Sequence, residues 1–371
     1  MSVKNKIPVG ILGATGTVGQ RFVQLLADHP WFEIVAVTGS PRTAGKPYGD
    51  GVLWKIPGEP PAHVANLIVQ HTEPNLDIPG NPPIVFSALP TAEAREWEPK
   101  FAAAGYAVFT NASAFRMTPY IPLLIPEVNA DHTAMIPKQQ AEYDWSGFII
   151  ANANCSTTSA ILPLKIFQDA FGLKAAIMTT LQAISGAGYP GVASLDIIDN
   201  VVPYIGGEDK KLENEPKKLL GAVDGDGELT YADINLSAQA NRIPVIDGHL
   251  ASVSVKLESE ANVAEAIAAL EGWQPDELYQ SLPSAPKRPL IFRHEPDRPQ
   301  PRLDRDLENG LAWTVGKVVE CGVLDLRYMS LTHNTLRGAA SGSVLNAELL
   351  VAQRFIKTGQ AETAVAEPVL A

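Results

Sequence analysis

IPVGILGATGTVGQRFVQLL, residues 7–26, decides how the N-terminal part of the chain folds. It starts as a short apolar strand, breaks at glycines and continues as an amphipathic helix. Gly13, Gly16 and Gly19 form GxxGxxG, which lets backbone approach closely where the N–H groups of a helix start can receive a pyrophosphate. The pattern is a relative of the dinucleotide fingerprint and not the usual GxGxxG. Its competing reading is a glycine turn that merely packs helix on strand.

Further strand–helix units follow. EIVAVT (33–38), PIVFSAL (83–89) with the helical TAEAREWEPKFAAAG, and YAVFTNA (106–112) predict a parallel, doubly wound sheet. Ligands gather at the C-terminal ends of such strands, here SALP (87–90) and TNASAFR (110–116). The second strand ends in TGSPRTAGK, with no acid to hold a ribose 2′-hydroxyl. Glu33 begins that strand and reads as a solvated decoy. Ser40, Arg42 and Thr43 suit a 2′-phosphate, which favours NADP; the alternative for Arg42 is a solvent-facing loop charge.

One of the two cysteines stands in ANANCSTTSA (151–160), between the apolar runs GFII and AILPLKIFQDAF. Cys155 therefore lies where a strand hands over to a helix. Asn154 is placed to cap, and unpaired N–H groups of Ser156, Thr157 and Thr158 together with the helix dipole would favour a thiolate there. The expectation is a nucleophile with a depressed pKa, alkylated faster than Cys321; the alternative is a buried structural cysteine.

At 371 residues two domains are expected. A composition of 46% hydrophobic and 19% charged residues is ordinary for globular proteins, and no apolar run has membrane-spanning length. The net charge of −12 argues against nucleic-acid or anionic-membrane partners. Two cysteines make no disulfide framework, and MSVKNKIPVG lacks the features of a signal peptide, so a cytoplasmic location is expected. No metal is expected.

From Ala151 onward the pattern becomes α+β: KAAIMTTLQAIS (174–185), HLASVSVKLE (249–258) and VVECGVLDLRYMSLTH (319–333) read as long, antiparallel strands. The proline-rich stretch 283–301 reads as a loop, and Cys321 as a core residue in a strand. Gln182 precedes the glycine-rich SGAGYPG loop. Glu208 and Lys211 share one face if GGEDKKLENEPKKLLG is helical, with a surface ion pair as the bland alternative. Arg242 and His249 bracket NRIPVIDGH, where Pro244 and Gly248 prevent periodicity from saying whether they face each other.

Taken together, GATGTVG, NASAFRM, IPEVN, ANANCSTT, QAISGAGYPG, NRIPVIDGH and NTLRGAASGSVLNAE, in this order, resemble the aspartate-semialdehyde dehydrogenase family, in its archaeal and fungal branch. The resemblance implies an α/β chain with a Rossmann-type parallel-sheet domain, 1–150, completed by a C-terminal helix, 335–358. It also implies an α+β catalytic and dimerisation domain, 151–334; residues 359–371 are expected to be a frayed tail. It implies Cys155 as nucleophile, His249 as general acid and base, and Gln182 orienting the acyl group. Arg242 would bind the substrate carboxylate, Glu208 its ammonium, and Lys211, Arg116 and Asn111 the phosphate. Gly207 departs from the family by standing where an acid often precedes that glutamate. The implied NADP set is Gly13, Thr15, Gly16, Thr17, Val18, Ser40, Arg42, Thr43, Ser87, Ala88, Leu89, Ser185, Gly186 and Asn334. A homodimer or homotetramer acting on a small-molecule substrate is implied.

The implied reaction is NADPH-dependent conversion of L-4-aspartyl phosphate to L-aspartate 4-semialdehyde through a thioacyl enzyme, in the biosynthesis of lysine, threonine and methionine. Donors at the start of the helix would stabilise the oxyanion. Malonyl-CoA reductase, the more remote N-acetyl-glutamyl-phosphate reductase and a catalytically silent NADP-binding sensor are the competing readings.

Overall fold

The computed structural model describes residues 6–357. Seven parallel strands, β1 (Ile7–Leu12), β2 (Phe32–Thr38), β3 (Val69–Gln70), β4 (Ile84–Ser87), β5 (Ala107–Thr110), β6 (Leu123–Leu124) and β7 (Phe148–Asn152), form the first sheet in the order β3-β2-β1-β4-β5-β7-β6. β4, β5 and β7 are buried along their whole length, as expected when helices cover both faces of a parallel sheet. Glu33 is exposed near the start of β2, at the end of the strand away from the glycines.

β8 (Leu173–Gln182) opens the second layer, and a short hairpin, β9 (Ala222–Val223) with β10 (Leu229–Thr230), stands apart from it. With β11 (Asn235–Arg242), β12 (His249–Leu257), β13 (Leu290–Arg293), β14 (Trp313–Glu320) and β15 (Leu326–Thr332), β8 builds a sheet of order β11-β8-β12-β15-β14-β13. The stretches expected to be antiparallel pair so, β8 with β12, β12 with β15 and β14 with β15, but the sheet is mixed, because β11 runs parallel to β8 and β13 parallel to β14. β13 also interrupts the segment read as a proline-rich loop. It sits at the sheet edge, where neighbouring prolines cost no ladder bond. The run 319–333 is not one strand. It turns over at 321–325, so Cys321 lies in the half-exposed β14–β15 turn rather than the core, its sulfur accepting the Leu324 N–H at 3.4 Å.

Two helices place the site. Cys155–Phe171 is buried around most of its circumference, which explains a sequence apolar on more than one face; it packs on β12 and β15. The final helix is shorter than the expected 335–358. A five-residue π-helical turn, Leu336–Ala340, precedes an α-helix over Ser341–Ala352. Ala339, at φ −144° and ψ −107°, breaks the helical path within the small-residue run RGAAS. Val344, Leu345 and Leu349 on this helix join the core of the parallel sheet beside Val9, Phe22 and Phe109. The expected frayed tail, 359–371, lies outside the described residues.

Candidate active site

Each site segment follows the C-terminal end of a parallel strand: glycines after β1, Ser40–Thr43 after β2, Ala88 after β4, Asn111 after β5 and Cys155 after β7. The second sheet supplies the other wall by register. Gln182 pairs with Arg242, and Leu250 pairs with Leu181, so the ends of β8 and β11 and the start of β12 coincide. That register answers what spacing alone left open. Arg242 and His249 do meet, both near the position a side chain on Gly186 would occupy.

Asn154 caps the nucleophile helix, its Oδ1 accepting from the N–H groups of Ser156 at 3.0 Å and Thr157 at 3.3 Å. Thr158 N–H donates to the Asn154 carbonyl at 2.8 Å. All three donors expected to be free at the helix start are therefore taken, and the oxyanion hole inferred from them is not available in this arrangement. Gly338 closes against the sulfur-bearing residue, since a Cβ there would lie 2.7 Å from Cys155 Cβ.

Cys155 Sγ stands 3.3 Å from His249 Nε2. The ring's Nδ1 accepts the Ala183 N–H at 3.1 Å, which leaves the proton of the neutral ring on Nε2, pointing at sulfur. Burial first, then the Arg242 cation, push His249 down to about 3, so the imidazole is neutral at physiological pH. The expected depressed thiol pKa is reversed. Burial, then the Glu208 carboxylate, push Cys155 up to about 11 against the pull of Arg116, Lys211 and Arg242. The helix start is outweighed by dehydration and by one carboxylate.

Glu208 begins the helix Glu208–Leu219 and gathers four donors. Its Oε1 accepts from Lys211 Nζ at 2.6 Å and Asn154 Nδ2 at 3.2 Å, its Oε2 from Ser156 Oγ at 2.7 Å and Gln182 Nε2 at 3.4 Å. Burial alone would raise its pKa, but Lys211 and these neighbours hold it below the ordinary carboxylate value. The Glu208–Lys211 pair is thus no surface ion pair. Arg242 is 6% exposed and spends Nη1 on the Ala183 carbonyl at 2.6 Å. Arg116 donates through Nε to Asn152 O at 2.9 Å, Nη2 to Asn111 O at 2.8 Å and Nη1 to Glu215 at 3.2 Å, leaving two of its five N–H groups. Asn111 Oδ1 accepts from Asn152 at 3.1 Å, and its buried Nδ2 has no partner among the described residues.

The nucleotide end fits the glycine reading. Gly13 takes φ +71°, and a Cβ there would meet the Ala88 carbonyl at 3.0 Å. Gly13, Thr15, Gly16, Thr17 and Val18 keep exposed surface while Ala14 and Gly19 are buried, and among the described residues no side chain caps the helix Thr17–Leu26. That uncapped N-terminus suits an anion. Ser40 and Arg42 are exposed at the rim, and Thr43 Oγ1 donates to Ser40 O at 3.0 Å. Ser87 can reach a ligand only through its backbone. Its hydroxyl is buried and donates to Glu98 at 2.6 Å, while Ala88 and Leu89 beside it keep exposed surface. Asn334 bridges the walls, donating to Ser185 Oγ and accepting from Gly248 N–H, both at 2.8 Å.

The semialdehyde dehydrogenase NAD-binding domain matches residues 8–136, and the semialdehyde dehydrogenase dimerisation domain matches 164–337. The aspartate-semialdehyde dehydrogenase of Archaeoglobus fulgidus is 48% identical over 349 residues, spanning 94% of this chain and 99% of that protein. The chain belongs to the aspartate-semialdehyde dehydrogenase family. The enzyme of that name from Cryptococcus neoformans is 45% identical over 367 residues, 96% of this chain and 100% of its own. The crystal structure of aspartate semialdehyde dehydrogenase with NADP from Candida albicans superposes with a TM-score of 0.86 at 40% identity, covering 94% of this chain and 100% of that one. These relatives are archaeal and fungal, the branch to which the motifs pointed.

Reading the sequence missed Ser156, Asn152, Glu215 and Lys218. The last two were detectable, because they continue the face of Glu208 and Lys211 at helical spacing. Ser156 and Asn152 gave no signal beyond lying beside the cysteine.

Proposed function

We propose that this protein converts L-4-aspartyl phosphate and NADPH to L-aspartate 4-semialdehyde, phosphate and NADP through a thioacyl enzyme on Cys155. The observation that carries the proposal is the convergence of Arg242, Glu208 and Lys211 on a sulfur 3.3 Å from an imidazole N–H. The names of the relatives support the same activity.

In this reading the Cys155 thiol passes its proton to His249 Nε2 once the ring has adopted its other tautomer, the sulfur attacks the acyl carbon, and the C–O bond to phosphate breaks with its electron pair leaving on phosphate. Arg116 and Lys211 receive that anion, Arg242 the α-carboxylate and Glu208 the α-ammonium. The ammonium placed on Glu208 offsets the carboxylate that is the second cause of the raised thiol pKa. His249 acts first as a hydrogen-bond donor from Nε2; to accept a proton there the ring must adopt its other tautomer and give up Ala183. Gln182 orients the acyl group. The glycine loop and the Ser40–Thr43 turn would hold NADP, which when bound would supply the hydride in one direction and accept it in the other. The uncapped start of the helix Thr17–Leu26 would receive its phosphates, and Ser185, Gly186 and Asn334 would line the wall beside it.

We further propose a cytoplasmic homodimer or homotetramer. Leu195, Ile198, Val201 and Tyr204 are exposed apolar residues within the segment matched by the dimerisation domain, and they suit burial against a second copy. Among the described residues no helix is long and apolar enough to cross a membrane.

The test is phosphate-dependent NADP reduction with aspartate semialdehyde, run beside NADPH oxidation with malonyl-CoA. Turnover with the semialdehyde is expected. Malonyl-CoA lacks the ammonium that Glu208 would receive; a preference for it overturns the substrate assignment, and no turnover with either overturns the enzyme reading.

A further inference from the structure

The helix Glu208–Leu219 carries a second acid and base below the first. Glu208, Lys211, Glu215 and Lys218 fall on one face, and Glu215 and Lys218 are 1% and 0% exposed. Burial pushes Lys218 down to about 7 against the opposing pull of Glu215, and side chains so completely dehydrated need hydrogen-bond partners.

Those partners are directional. Glu215 Oε2 accepts the backbone N–H of Asn154, the residue immediately before the nucleophile, at 2.7 Å. Its Oε1 accepts from Arg116 Nη1 at 3.2 Å. One carboxylate thus holds the cap of the cysteine helix with one oxygen and the guanidinium with the other. Lys218 fixes the same arginine from behind, its Nζ donating to the carbonyls of Arg116 at 2.9 Å, Thr118 at 2.9 Å and Ile121 at 2.8 Å.

We propose that Glu215 is a positioning residue that sets the distance between the Arg116 cation and the Cys155 sulfur, with Lys218 holding the arginine's backbone in register. The inference rests on the reading of Arg116 as a phosphate ligand. Neither Glu215 nor Lys218 touches substrate; both act through Arg116 and Asn154. The carboxylate specifically is required, because two donors approach its two oxygens from different segments, and an amide presents a donor to one of them.

The experiment is steady-state kinetics of Glu215→Gln in the phosphate-dependent oxidation of aspartate semialdehyde. The KM for phosphate is expected to rise about 10-fold, with the KM for semialdehyde and NADP within about twofold of wild type. Arg116→Ala is the control for the underlying reading, and the double variant completes a cycle. If Glu215 acts through Arg116, Glu215→Gln adds little to the phosphate KM in the Arg116→Ala background. Should Glu215→Gln not fold, Glu215→Asp carries the test, since its shorter side chain cannot span both donors. A raised phosphate KM in Arg116→Ala, with wild-type values in a folded Glu215 variant, overturns the positioning role. An unchanged phosphate KM in Arg116→Ala overturns the phosphate assignment itself.

Discussion

Replacing Gly186 by alanine perturbs the nucleophile–imidazole contact without removing any functional group. Gly186 sits in the turn Ile184–Ala187 and is not among the residues at positive φ, so the backbone tolerates alanine. The new Cβ would lie 3.0 Å from both Cε1 and Nε2 of His249 and 2.9 Å from Arg242 Nη1, where ordinary contact begins at 3.4 Å. The arginine end is flexible and can yield. The histidine ring is fully buried and held at Nδ1 by Ala183, so it must retreat by about 0.4 Å or drag that loop with it. If a misplacement of about 1 Å costs on the order of 10²-fold, this one costs about 6-fold in the chemical step. Overpacking should also remove roughly 1 kcal/mol of stability, too little to unfold the protein. The assay is the single-turnover rate of NADP reduction with saturating semialdehyde and phosphate, with a thermal melt and the KM for NADP as controls. A folded variant with the wild-type single-turnover rate, or with its whole loss in the KM for NADP, would refute the claim that the 3.3 Å contact is tuned.

Other outcomes follow from charge. With the Cys155 thiol pushed up to about 11, alkylation of the free enzyme by iodoacetamide should climb about tenfold per pH unit from 6 to 10 without a plateau, while Cys321, whose pKa is lowered chiefly by backbone N–H donors, levels off earlier. Peptide-resolved mass spectrometry separates the two. Glu208→Gln removes the carboxylate that opposes the thiolate, so the Cys155 profile should move to lower pH while KM for the semialdehyde rises about 10-fold; an unmoved profile contradicts the charge assignment. Arg42→Ala should raise KM for NADPH about 10-fold and leave that for NADH unchanged, the scale of one charge-assisted contact to a 2′-phosphate.

The parallel sheet was legible because buried parallel strands are written as uninterrupted apolar runs separated by helical patterns and glycine turns. GILGATG and ANANCSTT marked the ligand ends for the same reason: small residues stand where strands stop. The mixed second sheet was harder. β14 and β15 are joined by the short turn at 321–325, so the hairpin read as one strand, and β13 hid among prolines that an edge position tolerates. The meeting of Arg242 with His249 depends on register between strands distant in sequence, which spacing along one segment cannot report. The thiol pKa was misjudged for a physical reason: the helix start is local and visible, whereas burial and the approach of Glu208 belong to the folded site.

Trapping the acyl enzyme tests the central claim most directly. Wild-type protein mixed with L-4-aspartyl phosphate in the absence of reduced cofactor should gain the mass of one β-aspartyl group. Peptide mapping at mildly acidic pH should place it on Cys155 as a hydroxylamine-labile thioester, and Cys155→Ser should show no such thioester. An adduct on any other residue, or steady turnover by Cys155→Ala, would contradict the account.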